Sequence, residues 1–354
     1  MTILENISLA PFTTLGIGGP TTHFAEVTDV PSLLDGLAWA SSHDVPLFVL
    51  AGGSNIVVSD AGFRGLTLRL NIKGIEIRTE GPDVLVTAGA GEEWDPLIER
   101  CVENNWAGIE CLSGIPGRVG ATPIQNVGAY GQETSECFVS LEALEIRTGQ
   151  SIRMSRQDCE FGYRASRFRG RDSGRFIITS VTYRLTVNGK PSVRYAELTQ
   201  YLADRGIREP SLADVRQAVL AVRRRKAMVI DPNDPDSRSV GSFFMNPVVS
   251  TSEFEEINQR ALKVAPEKGQ MPRYPTPDGE VKLSAAWLIE NAGFKPGCVH
   301  GNVGTSSRHS LAIINRGNGT AREVLELAEE IRSRVGDVFG VSLSPEPIFV
   351  GFEK

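Results

Sequence analysis

The chain has 354 residues, 41% of them hydrophobic and 23% charged, with a formal net charge of −6. That length allows about two to three domains, each with its own core, and the acidic balance gives no general attraction for nucleic acid or an anionic membrane, so any phosphate recognition has to be local. Five scattered cysteines without a C-x-x-C pair, no basic-then-apolar leader and no apolar run of membrane-spanning length predict a cytoplasmic protein without structural zinc or membrane insertion.

From Thr14 to about Leu70, short apolar runs alternate with a predicted helix over Val30 to Ser41, where Val30, Leu33, Leu34 and Leu37 recur at helical spacing. An extended run, Val45 to Leu50, follows. Alternation in 75–78 and 84–87 predicts strands, and a helix is expected over Glu93 to Asn104, packed by Leu97, Ile98, Cys101 and Val102. Another strand is expected at Phe176 to Tyr183, before a turn-forming run, Val187 to Lys190. Beyond it the chain becomes more helical. Ser211 reads as the N-cap of a helix to Arg225, which ends in the basic cluster Arg223 to Lys226 and is broken at Ile230 to Pro235. Helices at 284–291 and 320–335 flank a strand at Leu311 to Asn315. The expected class is α+β.

Two glycine-rich stretches carry the chemistry. Ser113 to Gly131 holds five glycines, two prolines and a single arginine in an otherwise apolar run, and Ala51-Gly52-Gly53-Ser54-Asn55 follows an extended segment. Neither can be a regular helix, and the first is too apolar for a solvated linker. Their peptide N–H groups suit a diphosphate; equally, each stretch can be a tight turn between strands. Gly16-Ile17-Gly18-Gly19 and Gly89-Ala90-Gly91 lack the last position of a Rossmann fingerprint, and no G-x-x-x-x-G-K-[ST] occurs.

Thr14 to Gly19, Ala51 to Asn55, Gly114 to Gly131, Gly162-Tyr163-Arg164-x-Ser166-x-Phe168, Gly241 to Phe244 with Asn246-Pro247, Ala286 to Glu290 and Pro345-Glu346 occur in the order found in UDP-N-acetylenolpyruvoylglucosamine reductases, which the chain resembles nearly end to end. The resemblance implies a two-lobed FAD-binding domain of the vanillyl-alcohol-oxidase (PCMH) type and a smaller C-terminal α+β substrate-binding domain. It divides the chain into a first lobe at 1–70 joined by the tail 342–354, a second lobe at 71–187, and a substrate domain at 188–341. The implied activity is NADPH-dependent, FAD-mediated reduction of enolpyruvyl-UDP-N-acetylglucosamine to UDP-N-acetylmuramate for peptidoglycan, with no obligate protein partner.

Cofactor contacts implied by the resemblance fall on Gly52, Gly53, Ser54, Asn55, Ile115, Pro116, Gly117, Gly120, Ala121, Gln125, Asn126, Gly128, Ala129, Tyr130 and Gly131. Reduction at C3 of the enolpyruvyl group leaves negative charge on C2 and its carboxylate, which calls for fixed donors in the manner of an oxyanion hole. Arg164 and Glu346 match the family residues that stabilise this enolate, and a planar fork suits a carboxylate. Ser242 matches the general acid that protonates C2, with Phe243 and Phe244 excluding water. Lys226 matches a family lysine near the substrate diphosphate, Arg223 lies one helical turn before it, and these with Asn246 are the expected substrate-binding residues; Tyr195 resembles the tyrosine of the loop that closes over substrate in the longer, loop-bearing subtype. Without the resemblance, Arg164 reads as a surface or ion-pairing residue and Ser242 as a turn or cap.

His23, His43, His300 and His309 show no metal-ligand spacing and none lies in a glycine loop, so no metal is expected and the flavin should be non-covalent. The chain departs from the family pattern at Met245 and Ile348, where cations are common, and in the acidic insertion Asp231 to Asp236. A sugar or alcohol oxidase on the same scaffold, and a non-catalytic nucleotide binder, are the competing readings. The presence of Ser242 and Arg164 counts against the second.

Overall fold

The computed structural model describes all residues except 267–269, 277 and 353–354. The chain forms two compact units, the first made of Met1–Ile7, Thr21–Gly53 and Arg64–Val229 and the second of Ser8–Pro20, Ser54–Phe63 and Ile230–Lys354.

In the first unit a four-stranded sheet runs in the order Leu4–Ser8, Pro20–Val27, Phe63–Leu70, Leu47–Leu50, the last two strands being parallel. The predicted helix is Val30–Ser42, started by a reciprocal capping box between Asp29 and Ser32. It buries Leu33, Gly36, Leu37 and Ala40, and Gly36 lets it lie close to the sheet: a Cβ there would stand 2.9 Å from the Leu68 methyls. A second, antiparallel sheet is ordered Ser151–Ser155, Phe138–Glu145, Phe176–Val187, Asp83–Gly89, Ile75–Glu80. Helix Trp94–Glu103 lies against its core through Leu97, Ile98, Cys101 and Val102, the expected face. Each such fully buried aliphatic side chain contributes about 1.5–3 kcal/mol over leaving it exposed. Helices Ala196–Ala203 and Leu212–Arg225 close a smaller cluster of Leu198, Leu202, Val215, Val219 and Val222, and Ser211 caps the second as predicted.

The second unit is built on helices Thr251–Val264, Ala285–Asn291 and Ala321–Phe339 around Phe254, Leu288, Leu327, Ile331 and Phe339. The motif Thr14 to Gly19 belongs to this core: Leu15 and Ile17 are buried in it, and the Asn315 side chain donates to the Leu15 carbonyl (3.1 Å). A Cβ on Gly19 would sit 2.2 Å from the Asp60 carbonyl oxygen, so backbone packs on backbone there. Strand Ile56–Val58 pairs in parallel with Ile348–Val350. The compact units are thus drawn differently from the division at 70, 187 and 341 expected from the resemblance.

Among the described residues no helix is long and apolar enough to cross a membrane. Cys101, Cys111 and Cys159 are buried thiols pushed by burial up to about 12, and Cys137 is raised further for the same reason, so none is a nucleophile.

Candidate active site

The two glycine loops meet. A Cβ on Gly52 would lie 2.6 Å from Gly117 Cα, so only glycine permits the contact, and Gly53 and Gly117 take left-handed φ of 63° and 128°. The second loop is seated on Gly89-Ala90-Gly91. Gly120 N donates to the Ala90 carbonyl (3.0 Å) and Val119 N to that of Glu92 (2.9 Å), with Ala121 completing a single turn of helix. The loop's one arginine, Arg118, is buried and donates to the carbonyls of Leu70 (2.5 Å) and Gly91 (3.3 Å) and to Asn71 Oδ1 (2.9 Å). It is an internal strut. The sequence offers no signal for this role, because the acceptors at Leu70, Asn71 and Gly91 lie 27 to 48 residues away.

Further along, Gly128–Ala129 pairs antiparallel with Gln132–Glu133, leaving Tyr130 and Gly131 at a two-residue tip with φ of 50° and 81°. Positive φ at both tip residues is the primed geometry that matches strand twist. Asn126, 1% exposed, spends its side chain on protein: Nδ2 donates to Glu133 Oε2 (2.7 Å) and the Gly162 carbonyl (3.1 Å), and Oδ1 accepts from Ser135 N (3.0 Å). Gln125 Oε1 accepts from Arg169 (3.0 Å), and the Ile124 carbonyl from Ser166 Oγ (2.5 Å). Ile115 packs against the second-sheet core, so it and Asn126 can meet a ligand chiefly through backbone.

Arg164 stands in the tight turn closed by Gly162 N to the Ala165 carbonyl (3.0 Å) and Ala165 N to the Gly162 carbonyl (3.2 Å). Its φ is 52°, and its Nη2 donates to the Gly128 carbonyl (2.7 Å). A non-glycine residue held left-handed costs on the order of 1–2 kcal/mol, and such strain collects at functional sites.

Tyr195, Arg223 and Lys226 gather with Tyr130 in the first unit. The Tyr130 and Tyr195 rings meet edge to face at 5.4 Å. Segment 192–195 is pinned by Glu110, a buried carboxylate accepting from Ser192 N (2.8 Å) and Gly108 N (2.8 Å), and by Arg194, paired with Glu136 (3.0 Å). Lys226 Nζ is paired with Glu197 (2.6 Å). Arg223 is 8% exposed; its Nη2 donates to the Met228 carbonyl (2.6 Å), while its Nε is buried without a hydrogen-bond partner. Burial lowers its pKa against the opposing pull of Tyr130 and Asp95, and burial pushes the Tyr130 phenol up to about 12. The Arg223 guanidinium and the Tyr130 phenol are thus buried together, with one guanidinium donor, Nε, left over. Arg224 and Arg225 are exposed.

The segments that carry Ser242 and Glu346 pair in the second unit. Glu346 N donates to the Phe243 carbonyl (2.8 Å) and Met245 N to that of Ser344 (3.0 Å), pairing the two segments, while Phe243 and Phe244 are buried beside them. Gly241 turns with φ 78°, and the half-buried Ser242 has no hydrogen bond among the described residues. Asn55 joins this group: its carbonyl accepts from Ile348 N (3.0 Å), and its Nδ2 donates to the Glu346 carbonyl (3.3 Å). Ser54 begins the same segment. Asn246 Oδ1 accepts from Ala285 N (2.9 Å) at the start of helix Ala285–Asn291, which ties its side chain to the fold. The acidic insertion is a structural knot. Asp236 is buried, with Oδ2 accepting from Ser307 N (3.0 Å) and Ser307 Oγ (2.6 Å), and Asp234 is paired with Arg308.

Two family descriptions match the chain, an FAD binding domain over residues 21–155 and the UDP-N-acetylenolpyruvoylglucosamine reductase C-terminal domain over 232–350. The UDP-N-acetylenolpyruvoylglucosamine reductase of Thermobifida fusca is 46% identical over 351 residues, covering 98% of each chain. The chain belongs to the UDP-N-acetylenolpyruvoylglucosamine reductase family. The reductase of Salinispora arenicola is 45% identical, over 97% of this chain and 94% of its own. The crystal structure of the Thermus caldophilus reductase shares the fold at a TM-score of 0.68 with 22% identity, covering 99% of both chains. The expected α+β class, an FAD-binding domain with a distinct C-terminal domain, is the one found. The enzyme is an FAD-dependent reductase of enolpyruvyl-UDP-N-acetylglucosamine using NADPH, and the side-chain-free contact of Gly52 with Gly117 fits a dinucleotide cofactor lying on backbone.

Proposed function

We propose that Arg164 and Glu346 stabilise the enolate of the reduced enolpyruvyl group and that Ser242 protonates its C2. When bound, the flavin supplies the reducing equivalents to C3. Backbone N–H groups at Gly52, Gly53, Ser54 and Asn55, and along 115–121 and 125–131, hold the FAD non-covalently. Arg164 offers a planar pair of donors to the substrate carboxylate and stabilises charge as it develops on C2. Ser242 is a weak acid in water; a carbanion-like acceptor basic enough to take its proton, beside rings that exclude bulk water, makes it competent. Arg223, Lys226 and Tyr195 bind the substrate diphosphate, Lys226 exchanging Glu197 for phosphate, and Asn246 supports the same ligand through its segment. On this reading 1–70 with 342–354 and 71–187 form the two flavin lobes, 188–341 binds substrate, the enzyme is of the longer loop-bearing subtype, and it works in the cytoplasm.

The observation that supports this most is the backbone pairing of Phe243 with Glu346, which joins the segment carrying Ser242 to the one carrying Glu346 over the buried rings of Phe243 and Phe244. Ser242→Ala tests it. NADPH should bleach the flavin of this variant at a near-parental rate, while reoxidation by the enolpyruvyl substrate slows by roughly 10²-fold or more. Equal slowing of both half-reactions, or of neither, would remove the serine from proton delivery.

A further inference from the structure

Residues 124, 125 and 126 of the glycine loop are each tied to the segment that carries Arg164. Ser166 Oγ reaches the Ile124 carbonyl (2.5 Å), Arg169 reaches Gln125 Oε1 (3.0 Å), and Asn126 Nδ2 reaches the Gly162 carbonyl (3.1 Å). Of these, the Asn126 bond lands on the turn itself. The two hydrogen bonds between Gly162 and Ala165 close that turn but leave its orientation on the glycine loop open. Arg164, held at φ 52°, needs that orientation fixed by something outside the turn. Asn126 can do this because its own amide is immobilised: Glu133 Oε2 takes the second N–H (2.7 Å), and Ser135 N fills Oδ1 (3.0 Å). At 1% exposure the Asn126 side chain is itself shielded from solvent. Glu133 also lies beside the arginine's anchor, since a Cβ on Gly128 would be 2.9 Å from Glu133 Cγ and 3.2 Å from Arg164 Nη1.

We propose that Asn126, oriented by Glu133, is a positioning residue that fixes the Gly162 carbonyl and thereby aims the Arg164 guanidinium at the substrate. This rests on the assignment of Arg164 to the enolate. A misplacement of about 1 Å at a reacting group can cost up to 10²-fold in rate, so loss of the clamp should be felt in substrate reduction more than in flavin reduction by NADPH.

Asn126→Asp keeps the shape and the acceptor for Ser135, loses both amide donors, and sets a carboxylate against Glu133. Adding Glu133→Gln relieves that repulsion and rebuilds the 126–133 hydrogen bond with roles exchanged, yet leaves the Gly162 carbonyl without its donor. Glu133→Gln alone retains an acceptor for Asn126 and serves as the conservative control. With each holoenzyme the two half-reactions are timed anaerobically by flavin absorbance. The double variant should melt near the parent temperature but reoxidise with enolpyruvyl substrate about tenfold more slowly relative to its own flavin reduction, whereas Glu133→Gln alone should keep the parental ratio. A double variant with the parental ratio overturns the proposal, as does equal slowing of both steps. Arg164→Lys is run beside them. If it leaves reoxidation intact, the assignment of Arg164 itself is wrong; if it is slow and the double variant is not, only the clamp is wrong.

Discussion

Arg164 shows what a residue's identity and its backbone each contribute. Its motif was legible in the chain, and so was the need for a planar cation; the left-handed φ of 52° and the bond to the Gly128 carbonyl were not, because both depend on a loop 36 residues away. Arg164→Lys keeps the charge and loses the fork. Anaerobic stopped-flow should find flavin reduction by NADPH near the parental rate and substrate-driven reoxidation slowed at least about tenfold; an unchanged reoxidation would return Arg164 to a surface role. Arg223 was legible as a cation one helical turn before Lys226. Its burial and its orphaned Nε, which separate it from the exposed Arg224 and Arg225, come from its place on the inward face of helix Leu212–Arg225. Lys226 was equally visible, but its pairing with Glu197 on a neighbouring helix was not.

Among the elements, helices with long apolar periodicity and a polar cap were placed within a few residues by sequence, as at Val30–Ser42, Leu212–Arg225 and Ala321–Phe339. The strands Leu4–Ser8 and Pro20–Val27 and the helix Thr251–Val264 were not, their patterns being broken by exposed positions or dominated by charge. The glycine loops are where element geometry is least forgiving. Gly52→Ala drives a Cβ into Gly117 Cα, so the purified variant should carry much less FAD than the parent, whose flavin should come free on acid precipitation. A full flavin complement in Gly52→Ala would show that the loops do not form the cradle. Helix starts carry a separate, pH-dependent contribution. Hydrogen bonds from the Ser211 side chain and backbone hold Asp214 below its ordinary 3.8, and Ser250 and the Asn302 and Thr320 backbones do the same for Glu253 and Glu323 below 4.5. A depressed folded-state pKa stabilises above the unfolded value and is lost as pH falls through the folded one. Ser211→Ala should therefore cost about 1 kcal/mol at neutral pH, and its melting deficit against the parent should narrow as pH drops below 3.8. A deficit that is constant down to pH 2 would exclude the Asp214 part of the cap.

For the whole molecule, the order of motifs identified the family, but the threading of the units was hidden. Residues 8–20 and 54–63 fold with 230–354 because Leu15, Ile17 and Val57 find their apolar partners there, a long-range choice that no local pattern records. Gly52, Gly117 and Arg164 belong to one unit, Ser242 and Glu346 to the other. In the proposed reaction, electrons delivered by NADPH leave through the enolpyruvyl group and through no other acceptor. The decisive measurement is to reduce the purified holoenzyme with one equivalent of NADPH under strict anaerobiosis, add enolpyruvyl-UDP-N-acetylglucosamine and follow flavin absorbance. The yellow oxidised spectrum should return with one equivalent of UDP-N-acetylmuramate formed per flavin; a flavin that stays bleached until oxygen is admitted would contradict the account and indicate an oxidase.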